Sequence, residues 1–169
     1  MKKLLILFFS LSLAGCENSL IDKNQSVPKL TDIDWRYVGA SNHCMDWSPD
    51  MSKVDFVNGP SLRFSSDSTL SGKAHVNRYG GRYTATKDAE QPQPMTLSGR
   101  LSIRQMFMTE IGGPKELMEE ESFMLQSLNN AFRYSVQTYD PQYDFLSVDY
   151  ADRNSTSPCG TYLYFARKK

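Results

Sequence analysis

The sequence predicts an α+β fold, a mostly antiparallel curved sheet with one main helix packed against it. Three observations lead there. Short runs of alternating apolar and polar residues recur along the body, turn residues separate them, and one late segment carries a helical apolar stripe. Whether the sheet closes into a barrel stays open at this level.

The elements follow in order. Trp35 to Val38 reads as the first strand, after the polar Thr31 to Asp34. Val54-Asp55-Phe56 alternates and is expected to be a short strand. Leu62 and Phe64 share one face of Ser61 to Phe64, and Asp67-Ser68 supplies a turn before Thr69 to Gly72. Ala74 to Val76 and Arg82 to Ala85 flank Gly80-Gly81, which reads as a hairpin break. Asp88 to Pro94 is a proline-bearing loop. Met95, Leu97, Leu101 and Ile103 then share one parity, the pattern of a half-buried strand with a bulge expected at Gly99.

Gly112-Gly113-Pro114 stops that strand, and Pro114 suits a first helical position. Acids from Glu116 to Glu121 match the helix dipole. Leu117, Met124, Leu125, Leu128, Ala131 and Phe132 form the stripe, and the helix is expected to end near Asn129 to Ala131. Tyr134 and Val136 open another strand, Tyr139 to Gln142 is a turn, and Tyr143 to Tyr150 and Thr161 to Ala166 are the last strands.

The chain has 169 residues, with 19 Lys plus Arg against 19 Asp plus Glu. That balance argues against a nucleic-acid partner, which draws on a basic excess. At 40% hydrophobic and 22% charged, the composition is that of a globular domain.

Residues 1–15 read as a lipoprotein signal peptide. Lys2 and Lys3 precede an apolar run from Leu4 to Leu13, about half the roughly 20 residues a spanning helix needs. Leu13-Ala14-Gly15-Cys16 then looks like a bacterial lipobox, whose small residues admit a peptidase and whose Cys16 carries the acyl chains. Stable anchoring takes two lipid signals, and a triacylated cysteine exceeds that. Glu17, where Asp would favour inner-membrane retention, points to the outer membrane, with the body facing the periplasm. Residues 16–29 form the lipidated cysteine and a polar, flexible tether, and residues 30–169 form one domain.

Cys44 and Cys159 remain after export. In an oxidising periplasm an even pair suggests a disulfide. So long a closure stabilises by about 4.7 kcal/mol in the loop-entropy account, less any strain.

The body resembles the META domain family of HslJ-like envelope lipoproteins over most of residues 31–168. The resemblance rests on Trp35-Arg36-Tyr37-Val38, on Gly72, Asn77, Tyr79, Gly80 or Gly81, and Tyr83, and on Thr109, Leu117, Met118, Glu121 and Leu128. Two departures stand out. The family's motif cysteines fall at Val76 and Gly113 here, so both are absent; if they pair in relatives, this chain has lost both halves, and Cys44–Cys159 could replace that link. The resemblance implies an envelope or secreted protein tied to stress tolerance, motility or drug resistance. It assigns no catalytic residue, and it makes Trp35, Gly72, Asn77, Tyr79, Gly81, Tyr83, Thr109, Glu121 and Leu128 structural.

Chemistry of other kinds finds little support. The histidines are His43 and His75, and no hydrolase, zinc-protease or phosphate-loop motif occurs. His43-Cys44 with Asp46 lacks a second ligand cluster, and a disulfide would consume the thiol. Met106, Met108, Met118 and Met124 could take Cu(I), but read better as core filler. The run Glu116 to Glu121 could bind a cation or basic partner, but reads better as a solvated helical turn. Tyr134, Tyr139, Tyr143, Tyr150, Tyr162 and Tyr164 could make a recognition surface or plain sheet. The expectation is a non-enzymatic, membrane-anchored periplasmic lipoprotein without cofactor or metal. It would dock an unknown envelope protein or act in envelope stress tolerance. The alternative is a binder of an apolar small molecule or lipid in the sheet–helix interior.

Overall fold

A computed structural model describes residues 28–42, 44–151 and 159–169. The signal peptide, Cys16, nearly all of the tether, and His43 lie outside the described residues.

Eight antiparallel strands close into a barrel in sequence order. They are β1 (Asp34–Asn42), β2 (Ser61–Phe64), β3 (Thr69–Lys73), β4 (Arg78–Lys87), β5 (Thr96–Met108), β6 (Ala131–Gln137), β7 (Tyr143–Tyr150) and β8 (Thr161–Lys168). The helix α1 (Lys115–Asn129) lies between β5 and β6, and Met51–Lys53 forms one 3-10 turn. Pairing of β1 with β8 closes the ring and leaves no open sheet edge.

The interior is packed with side chains. Trp35, Leu62, Phe64, Val136, Leu163 and Phe165 are all fully buried. The inward parity of β5 is the expected one: Leu97 packs on the core, and Leu101 and Ile103 are buried within it. Thr96 and Ser98 point the other way, yet are buried too. The loop before β5 covers Ser98, whose N–H donates to Gln91 (2.6 Å) and whose hydroxyl donates to Asp88 (2.9 Å).

Several expectations need correction. Val54-Asp55-Phe56 is not a strand. Asp55 accepts the amides of Val57 and Asn58 (2.9 and 2.8 Å), which turns the chain. Gly80 and Gly81 lie inside β4, and the reversal comes earlier, where the Ala74 amide donates to the Asn77 carbonyl (2.8 Å). The glycines serve close approach instead, since a Cβ at Gly80 would sit 2.6 Å from the Phe107 ring. No bulge occurs at Gly99. In β5 the register slips further on, where Gly80 faces Phe107 and Arg82 faces Arg104, so Gly81 opposes both Gln105 and Met106. Pro114 is the N-cap residue rather than the first helical one. Ala131 and Phe132 belong to β6.

The two mouths of the barrel are closed differently. The chain enters at one mouth, where Leu30 and Ile33 are buried and the Trp35 indole donates to the Leu30 carbonyl (3.1 Å). Asp144 faces inward there, fully buried, against the Arg167 guanidinium and the Lys169 ammonium (3.2 Å). Strand directions put α1 at the opposite mouth, packed on β5, β7 and β8. Met124, Ser127 and Leu128 are buried there, together with Glu121.

Candidate functional site

The helix-covered mouth gathers the motif residues. Glu121 is spaced four residues after Leu117, three before Met124 and seven before Leu128, so it falls on the apolar stripe of α1. It is 1% exposed. One carboxylate oxygen accepts the amides of Val76 (3.0 Å) and Asn77 (2.9 Å), and the other accepts the Asn77 side-chain amide (2.6 Å). That amide also donates to the Ile111 carbonyl (3.1 Å). The Asn77 side-chain oxygen accepts the Thr109 hydroxyl (2.8 Å) and the Ile111 amide (2.7 Å). Thr109 in turn accepts the Arg78 amide (3.1 Å).

Three segments far apart in sequence therefore meet in one network: the β3–β4 turn, the strand end after β5, and α1. Burial pushes the Glu121 carboxyl up. The Asn77 amide, the Asn77 side chain, the Val76 amide and nearby His75 outweigh it and hold the group below the ordinary carboxylate range. The expectation of a solvated acidic run is corrected at this residue. A buried carboxylate with neutral donors on both oxygens is suited to fastening a helix rather than to moving a proton.

Neighbouring groups line the same mouth. His75 Nε2 lies 2.9 Å from Glu120, which is largely exposed. Burial, then Glu120 and Tyr150, push the Tyr37 phenol up to about 12, so it stays neutral at physiological pH. Gly113 lies against Val76, since a Cβ on Gly113 would stand 2.7 Å from Val76 Cγ2. The two positions that depart from the motif thus touch each other beside the Glu121 network.

The other motif residues hold the wall. The Tyr79 hydroxyl donates to the Ser61 carbonyl (2.8 Å), passing over Gly72, where a Cβ would meet the Tyr79 ring at 2.4 Å. The Tyr83 hydroxyl donates to the Ser65 carbonyl (2.8 Å), with its ring edge-on to Phe64. Leu128 and Trp35 are fully buried.

Cys44 and Cys159 form a disulfide, with Cα atoms 5.6 Å apart. It ties the segment after β1 to the start of β8 and leaves Cys44 without a thiolate for a metal. Among the described residues no group of three or more His, Cys, Asp or Glu is placed to hold a metal ion. Beside the disulfide, Trp47 packs edge-on against Tyr164 (5.4 Å) and Tyr162 (6.4 Å), above Gly39. Tyr164 stacks on Phe145, and Tyr143 on Phe56. Tyr134 and Tyr150 are buried within the barrel. Most of the tyrosine-rich end is thus core or a half-covered outer stripe, and Tyr139 is the exposed member.

The methionines divide. Met124 is core and Met106 packs on the core, but Phe107 and Met108 are 70% and 48% exposed. A cavity of about 130 Å³ between β5 and α1 is lined by Tyr79, Met106, Phe107, Met108, Leu125 and Asn129. It opens near the helix-covered mouth, at the far end of β5 from the chain's entry.

A model of the META domain matches residues 34–155. The fold is similar to an NMR structure of a protein from Burkholderia xenovorans, 21% identical with a TM-score of 0.52, over 83% of each chain. A crystal structure of a DUF4847 family protein from Bacteroides vulgatus is 17% identical with a TM-score of 0.47, over 83% of this chain and 96% of that one. No curated protein sequence matches.

Proposed function

The chain belongs to the META domain family, and from that premise we propose that it is a non-enzymatic lipoprotein of the bacterial outer membrane. Cys16 carries the lipid, the body faces the periplasm, and the domain docks an envelope protein as an assembly or stress-tolerance factor. The lipobox supports the anchor. The Cys44–Cys159 disulfide fits an oxidising compartment. The observation that carries docking is the apolar groove at Phe107 and Met108, exposed at the end of the barrel opposite the chain's entry. Exposed aromatic and methionine side chains around a small cavity are what a partner's apolar anchor would fill.

The alternative, an apolar ligand inside the sheet–helix interior, finds that interior occupied. Trp35, Phe64, Met124, Leu128 and Phe165 fill it with no more than 1% exposure each.

A photo-crosslinking residue at position 107, used in cells, tests the docking reading. One specific protein captured there, absent with the probe at exposed Val57 and lost in Cys16→Ala, is the expected result. Capture of nothing specific at position 107 contradicts it.

A further inference from the structure

We propose that the outer face of β4 and β5 holds a phosphate group between Arg82 and Arg104. The two arginines are direct cross-strand partners, so both side chains leave the same face of the sheet. Like charges set opposite each other oppose folding. Arg63, Arg133 and Arg167 each pair with a carboxylate, namely Asp34, Asp88 and Asp144. Among the described residues no carboxylate lies within 4.0 Å of Arg82 or Arg104. The nearby acid Asp67 feels the Arg82 charge only as a lesser influence, after the hydrogen bonds it accepts from the hydroxyl and amide of Thr69 (2.6 and 3.0 Å).

The two guanidiniums line a cavity of about 300 Å³ with Ser68, Thr84, Ser102 and Gln105. Every one of these side chains can donate a hydrogen bond, and no acid lines the cavity. The backbone builds this arrangement. The bulge at Gln105, with φ of 53°, leaves Arg104 and Gln105 both exposed, so an amide stands beside a guanidinium. Ser68, with φ of 67°, turns the chain at the cavity's edge, and its carbonyl accepts the Tyr83 amide (3.0 Å). Two of the four left-handed non-glycine residues among those described thus line one cavity.

A phosphate monoester suits this lining. It brings a charge of about −1.5 to −2 at neutral pH, against two cations. Its tetrahedral oxygens accept from guanidinium forks and hydroxyls together. The same phosphate chemistry could reach the site on a soluble ligand or on a lipid headgroup.

The test uses the ¹⁵N-labelled full chain in non-ionic micelles and follows the arginine Nε–H signals. Glycerol 1-phosphate is titrated in one arm, and micelles doped with phosphatidic acid, a lipid phosphate monoester, or with phosphatidylcholine in the other. Saturable shifts of Arg82 and Arg104 are expected with at least one phosphate source. Glycerol 1-phosphate alone identifies a soluble ligand. Phosphatidic acid without phosphatidylcholine identifies a lipid phosphate monoester. Arg82→Gln with Arg104→Gln should weaken binding at least tenfold and abolish the ligand's rise in thermal midpoint. The charge-matched Lys53→Gln with Lys115→Gln should keep both. Arg104→Gln alone serves if the double variant does not fold. Shifts that never saturate in either arm, or equal affinity in the arginine variants, overturn the proposal.

Discussion

Among the described residues, each mouth of the barrel buries one carboxylate, and the two are held by opposite means. At the helix-covered mouth, Glu121 accepts three hydrogen bonds from neutral donors, two of them main-chain amides. At the entry mouth, Asp144 faces two cations on side chains that are about a third exposed. The difference lies in what remains when the acid is removed. Arg167 and Lys169 can turn into water, and Lys169 still has the Thr138 and Asp140 carbonyls (2.9 and 2.6 Å). The amides of Val76 and Asn77 are fixed in a turn and have nowhere to go. A buried charge is therefore costly to lose in proportion to the rigidity of its partners.

The largest expected effect follows directly. Glu121→Ala should cost about 3–5 kcal/mol in urea denaturation, since each stranded buried donor costs roughly 1–3 kcal/mol. Asp144→Ala should cost about 1–3 kcal/mol, because its partners can resolvate. Equal losses would erase the distinction between the mouths.

Salt sharpens the contrast. In 1 M salt the Debye length falls to about 3 Å, so the penalty of Asp144→Ala should shrink by up to about 1 kcal/mol. The Glu121→Ala penalty should not change. Acid acts on the other mouth. Glu121 is held below its unfolded pKa, so its stabilisation is complete above that value and is lost as pH falls through the folded one. The stability gap between the native chain and Glu121→Gln should therefore narrow on acidification below about pH 4.3, the unfolded carboxyl value. The smallest effect is expected from Thr109→Val, about 1 kcal/mol, which removes a single hydroxyl from the edge of the network.

Strand positions were legible where alternation ran long enough. Leu62 and Phe64, and Leu101 and Ile103, face inward as their parity requires. Alternation over three residues at Val54 to Phe56 was too short to outweigh Asp55 followed by Asn58-Gly59, which is turn chemistry. Glycine is ambiguous by nature, because it serves both reversal and close approach. At Gly80 only the Phe107 ring across the strand decides between them. Barrel closure depends on β1 meeting β8, a pairing between distant segments that local pattern does not encode. The Arg82–Arg104 pair was invisible for the same reason, since a slipped register creates it.

Glu121 is a different case. Its place on the stripe with Leu117, Met124 and Leu128 was readable from spacing alone, and its charge masked it. The same network accounts for Asn77 and Thr109 standing among the residues that carry the family resemblance. They are the partners through which α1 is fixed to the barrel.

The most direct test of that latch is a double-mutant cycle on Asn77→Ala and Glu121→Ala, read by urea denaturation. A charge-assisted hydrogen bond between the two side chains predicts a coupling energy of about 2 kcal/mol. Additivity within about 0.5 kcal/mol would mean that the two act separately, and would contradict the account of how the helix is held.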